Sequence, residues 1–217
     1  MKYFVGVDLG KKHDYTAISV TERKIIYPEE AKLQDDLYPE KVLYLTRYLY
    51  RPPLDTSYHD IVQFMVNFLN SHVLKGQSAL VIDATGVGEA VAEMFVEEGL
   101  NPVLIKLTSG LEYRTTETGF NVPKLDIIAV LQILLQNGLY KVSKKLRLAD
   151  HFLKELQNFK YEMTAKGNLT MEAARDAIHD DLVLSVGIAL WYAERIDKPI
   201  SIAEPQQSSD WNPYDFL

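Results

Sequence analysis

The sequence predicts an α/β fold built on one mixed sheet, in which an antiparallel three-strand meander continues into parallel strands and is flanked by helices. Three observations carry this expectation. Residues 3–8 form an unbroken apolar run that stops at Asp8, the pattern of a buried strand ending at a sheet rim. Residues 15–20 and 23–27 alternate like strands and follow closely enough to fold back on the first. An apolar strand ending in Asp83, a helical period over 88–98 and a strand over 102–107 then come in the order that makes a parallel crossover unit.

The remaining elements follow in order. Residues 28–39 are acidic and turn-rich, which predicts an exposed loop, and 42–50 read as a further strand closed by Pro52-Pro53. Ser57 or Asp60 caps a helix to about His72, with Ile61, Phe64, Met65, Phe68 and Leu69 on one face. Val91, Ala92 and Phe95 face inward from the 88–98 helix, which Gly99 ends. The polar, glycine-containing stretch 108–122 predicts a mobile loop. Pro123 at a first helical position opens a helix over 124–136 that Gly138 closes. A short strand at 139–142 precedes a helix over 145–158, and 159–163 and 169–171 flank the turn signal Lys166-Gly167-Asn168, which predicts an extra β-hairpin. The last helix spans about 180–195. The expected division is one domain over 1–196 and a flexible tail over 197–217, rich in Pro, Ser and Gln and carrying Trp211, Tyr214 and Phe216.

Composition narrows the chemistry. The 217 residues are 47% hydrophobic and 24% charged, enough to bury one sizeable core. Without cysteine there is neither a disulfide framework nor a thiolate metal site, so a metal must take oxygen or imidazole ligands, which favours magnesium, manganese or calcium. The longest apolar run, 182–193, is too short to span a bilayer and the first residues lack a signal-peptide pattern, so an intracellular protein without a membrane partner is expected. The net charge of -7 argues against an extended nucleic-acid surface, but Lys141, Lys144, Lys145, Arg147, Lys154 and Lys160 make one basic stretch, which also reads as a solvated helix face.

Acids at element ends carry the chemistry. Asp8 and Asp83 each terminate an apolar strand, and Asp180-Asp181 stand at the head of the last helix. Clustered carboxylates without cysteine are hard-cation ligands, and two such ions about 4 Å apart can drive in-line attack on a phosphodiester. Asp8, on the central strand, is the natural bridging ligand. Neighbouring helical residues diverge by about 100°, so one of Asp180 and Asp181 makes the main contact, and the sequence does not choose between them. Singly, each acid also reads as a turn former or an N-cap. His179 reads as a ligand, a neighbour supporting one, or a structural residue; His13 is a weaker candidate. Gly86-Val87-Gly88 is a weak glycine signal, and no phosphate loop with its Lys-Ser/Thr is present.

Val5-Gly6-Val7-Asp8-Leu9-Gly10 with Asp14 and Thr16, Val81 to Gly88 around Asp83, and His179-Asp180-Asp181-Leu182-Val183 with Ser185 and Ala189 together resemble the nuclease domain of the large terminase subunit of tailed bacteriophages. The resemblance runs over roughly residues 1–196 with the motifs in the family's order. It implies an RNase H-like fold, related to the RuvC resolvases, and a divalent-metal-dependent endonuclease that cuts double-stranded concatemeric DNA during packaging. Implied with it are two Mg2+ or Mn2+ ions on Asp8, Asp83 and Asp180 or Asp181, and a hairpin near the DNA path. An ATPase motor domain upstream, portal and small-subunit partners, and a place in the host cytoplasm are implied too. This chain starts almost on the first nuclease strand with no phosphate loop upstream, so an excised domain is expected, with a stand-alone protein as the alternative. Lys141, Lys144, Lys145, Arg147, Lys160, Lys166 and Arg114 become candidate contacts to DNA, with Lys124 secondary, reading backbone rather than bases. Competing readings are an ATP-binding protein of the actin and sugar-kinase superfamily, whose first phosphate motif resembles Asp8-Leu9-Gly10 and Thr16, a Holliday-junction resolvase, and a non-catalytic assembly module.

Overall fold

A computed structural model describes residues 1–10, 14–26, 41–86, 88–163, 169–173 and 180–197. The central strand β1 (Tyr3–Asp8) is buried on both faces, which is why its sequence is apolar at every position up to the rim. It pairs antiparallel with β2 (Ala17–Ile26), and β2 with β3 (Lys41–Tyr50). On its other side β1 runs parallel to β4 (Ser78–Asp83), followed by β5 (Val103–Thr108), β7 (Gly119–Pro123) and the short antiparallel β6 (Arg114–Thr115). A final strand β8 (Tyr140–Val142) adds parallel to β3, so the order is β6-β7-β5-β4-β1-β2-β3-β8. Strands β1, β3, β4, β5, β7 and β8 thus all end at one rim, the edge where open α/β sheets place their ligands.

Alternation along β1 divides the core. Tyr3, Val5 and Val7 face α1 (Tyr58–Leu69) and α2 (Gly88–Glu97), packing with Ile61, Met65, Phe68 and Phe95. Phe4 faces the other layer, made by α3 (Lys124–Gln136), α4 (Ala149–Asn158) and α5 (Asp181–Arg195), with Ile127, Leu131, Phe152 and Trp191. Ser57 caps α1 by accepting the Asp60 N–H at 3.1 Å. Helix α5 is buried nearly all round, as its apolar sequence requires. No helix among the described residues is long and apolar enough to cross a membrane.

The fold class is the expected one, a mixed eight-stranded sheet flanked by helices with a separate hairpin of β9 (Phe159–Met163) and β10 (Leu169–Ala173). Four local expectations are corrected. Residues 15–20 and 23–27 are not two strands: β2 runs through, carrying the fully buried Glu22 against Arg47 at 2.7 Å, and 41–50 supplies the third strand of the meander. The stretch 108–122 is not a plain loop, because Gly119 lets β7 lie against the Leu104 backbone. Pro123 is the N-cap of α3 and the last residue of β7 rather than a first helical position. Helix α4 begins at Ala149, not 145, because Ser143 ties the preceding residues into turns through Lys145 and Leu146. The acidic 28–39 loop, the hairpin turn and the tail from 198 lie outside the described residues.

Candidate active site at the sheet rim

Asp8 and Asp83 close β1 and β4, and the parallel register makes them direct partners. Partners on adjacent strands project to one face, and here it is the face of Phe4 and Gly6, beneath α5. The two backbones that carry these carboxylates therefore stand one strand spacing apart, about 4.8 Å, at the rim where α5 begins. Asp180 is the N-cap of that helix and Asp181 its first residue, a position where the helix dipole favours negative charge.

The charges press on one another. Burial, then repulsion from Asp83, Asp181 and Asp180, holds the Asp8 carboxyl well above the usual carboxylate range, while Lys124 pulls it down. Asp83 is 5% exposed and is also raised, first by burial; its hydrogen bonds to Thr85 and the Lys124 charge oppose this, and Asp180 adds to it. The Thr85 N–H donates to Asp83 Oδ1 at 2.7 Å.

Two cations balance the acids. Lys124, the first residue of α3, donates to Asp180 Oδ2 at 2.7 Å. Arg51, immediately after β3, donates to Asp181 Oδ2 at 2.8 Å and to Glu155 of α4. Glu155 is buried, and its other oxygen accepts the Leu182 and Val183 N–H groups at 3.0 and 3.2 Å, satisfying donors that an α-helix start leaves open. Burial lifts the Glu155 carboxyl to about 7 against the opposing pull of Arg51. Asp180 makes no side-chain cap bond, so capping does not account for it. All four predicted acids thus lie near enough at this rim for their charges to act on Asp8, yet among the described residues no three acidic or imidazole side chains converge closely enough to share one ion. The donor chemistry suits a hard divalent cation, while the two helix carboxylates are engaged by Lys124 and Arg51.

The predicted basic residues do not gather with them. Lys141, Lys144, Lys145 and Arg147 are exposed on β8 and the turns after it, at the sheet edge beyond β3, whereas Arg114 is exposed on β6 at the opposite edge. Lys160 falls on β9; Lys166, His179 and His13 lie outside the described residues. The sequence did not single out Arg51, Glu155 or Lys106, and it gave Lys124 to DNA rather than to the acids. One signal was available: Glu155 sits three residues after Phe152 on the apolar stripe of α4, an acid on the inward face. Lys106 and Arg114 both register with Asn121, so they share one face in a single row about 10 Å long, and both are exposed. An open cleft of about 520 Å³, lined by Gly10, Asp14, Thr16 and residues 52–58, lies along the same rim but includes none of the four acids.

Comparison with known proteins agrees with this architecture. No protein-family model matches the chain. It is 28% identical over 189 residues to the terminase large subunit of Thermus virus P23-45, covering 86% of this chain and 31% of that protein. The chain therefore spans about a third of the length of the curated relatives it matches. The large terminase nuclease of thermophilic phage G20c, solved with bound magnesium and with bound cobalt, superposes with a TM-score of 0.57 at 26% identity, over 87% of this chain and 79% of that one. The manganese-soaked terminase nuclease domain of human cytomegalovirus, at 13% identity and a TM-score of 0.52 over 89% of this chain and 84% of that one, shares the fold. The homologues are terminase large subunits, and the fold is the RNase H-like fold of their nuclease domains.

Proposed function

We propose that this chain, a homologue of terminase large subunits, is their nuclease domain: a divalent-metal-dependent endonuclease that cuts double-stranded viral DNA concatemers during packaging with low sequence specificity. The observation that carries the reading is the juxtaposition of Asp8 and Asp83, in register at the rim, with the Asp180-Asp181 start of α5. Asp8, whose charge all three other acids oppose, would hold both ions, with Asp83 and one of Asp180 and Asp181 completing the set. Two Mg2+ or Mn2+ ions held there would supply an activated water and stabilise the leaving oxygen in phosphodiester hydrolysis. Lys124 keeps the acid cluster charge-balanced through Asp180. Residues 1–196 form this domain and 197–217 a tail; the complete protein carries an ATPase, meets portal and small subunit, and works in the host cytoplasm.

The test is supercoiled plasmid incubated with manganese or magnesium. Nicking and linearisation that EDTA abolishes are expected. Absence of cleavage with either ion, together with tight ATP binding, would turn the reading to the actin-like superfamily.

The Lys106–Arg114 row fits a phosphate backbone track that passes beside the rim rather than over the acids: Lys106 follows Ile105, the register partner of Asp83, so the row projects to the opposite sheet face, where two exposed cations can follow successive phosphates. A Lys106→Ala/Arg114→Ala double variant is expected to lower the salt dependence of DNA binding by about two units of slope, about one per lost contact, at unchanged site preference. A slope identical to the parent protein removes the row from the DNA path.

A further inference from the structure

We propose that Glu155 and Arg51 are positioning residues that set how tightly the Asp181 carboxylate takes a divalent ion; this rests on the metal-site reading above. Arg51 joins two acids that lie 104 and 130 residues away, Glu155 and Asp181. Its side chain is only 12% exposed and its guanidinium lies over the Tyr15 ring at 5.1 Å, so solvent screens its charge weakly and its place is fixed from behind. Left alone with Asp181, such a cation would neutralise one of the acids that an ion needs. Glu155 shares it. One Glu155 oxygen engages Arg51 while the other holds the Leu182 and Val183 N–H groups, so a single carboxylate both fixes the start of α5 and offsets the guanidinium. Neither residue touches the reacting phosphate; both act through Asp181.

A structural role and a positioning role separate by charge. Glu155→Gln keeps the shape and an acceptor for the α5 N–H groups but leaves Arg51 uncompensated beside Asp181. Mn2+ binding to the full chain, followed by electron paramagnetic resonance, is expected to weaken about tenfold, the scale of losing a partner that orients a metal ligand. Cleavage at saturating Mn2+ should stay near the parent rate, so the metal concentration for half-maximal activity moves and the maximal rate does not. The Arg51→Gln/Glu155→Gln double variant removes both charges and is expected to return Mn2+ binding to within about threefold of the parent. Circular dichroism melting of each variant checks folding.

A double variant as weak as Glu155→Gln, or Glu155→Gln binding Mn2+ like the parent, overturns the proposal. If the parent binds Mn2+ and Asp8→Asn does not, either of those results defeats this inference while the metal site stands. A parent that binds no Mn2+ defeats both.

Discussion

Asp8→Asn is expected to abolish plasmid cleavage and, in EDTA, to raise the melting temperature. Asp8 is the acid most pressed upon, since burial and three neighbouring carboxylates all disfavour its charge and Lys124 alone among the named influences relieves it. An amide keeps the shape and removes the repulsion. Cleavage should fall by about a thousandfold or more, the scale of losing a group that organises charge in the transition state. Stability should rise by about 1–2 kcal/mol, which is roughly 2–8 °C for a chain of this size. The pH dependence carries the sign. A carboxyl raised on folding holds its proton after the unfolded chain has released one, so its contribution is greatest at low pH and is lost as pH rises through the folded value. Asp8 and Asp83 act in this sense, as does Glu155 with its value near 7, so the parent protein should lose stability from about pH 5 toward pH 8. The variant should lose less, and its advantage should be larger at pH 8 than at pH 5. Added Mn2+ should stabilise the parent and leave the variant unmoved. A variant less stable than its parent at pH 8 would show that the acids do not repel as described.

The parts of this site that could be read from sequence are those that chain-local physics writes. An apolar run ending in an acid announces a strand terminus, so Asp8 and Asp83 were visible, but the strand-helix-strand order joins β4 to β5, and the direct pairing of Asp8 with Asp83 is a β1–β4 contact across the intervening β2, β3 and α1. The Asp180-Asp181 pair was visible for the same reason at a helix start. What failed was long-range. Glu22, an acid in mid-strand, looked like a break because its partners Arg47 and Lys2 come from elsewhere in the chain. Strand β7 looked like loop because Gly119 reads as flexibility, whereas its missing side chain is what permits contact with the Leu104 backbone. Arg51, Glu155 and Lys124 each find their acid or cation more than fifty residues away, and no local period records such a pair.

Gly6→Ala is expected to be strongly damaging to the sheet, and to destroy the site without touching an acid. Gly6 lies two residues before Asp8 on the face that carries α5, and a Cβ there would fall on the backbone carbonyl of Ser185, with Ser19 Oγ only 3.1 Å away. The obstacle is backbone, so no rotamer change relieves it. The helix cannot simply lift either, because its buried surface holds Trp191 and Val186 in the same core as Ile127 and Phe152. Overpacking of this kind costs about 3 kcal/mol or more, which lowers the melting temperature by roughly 6–12 °C. Whatever fraction still folds carries α5 displaced, and with it Asp180 and Asp181 relative to Asp8 and Asp83. Mn2+ binding should therefore be lost even at temperatures where circular dichroism reports native helix. Gly187→Ala is the comparison on the same helix: its Cβ meets only Ile127 Cγ2, at 2.5 Å, a methyl of a buried, β-branched side chain that must shift, while no backbone stands in the way. It should cost about 2 kcal/mol, less than Gly6→Ala, and spare Mn2+ binding. If Gly187→Ala proves the more harmful of the two, close packing of α5 on β1 at Gly6 is not what holds the acids together.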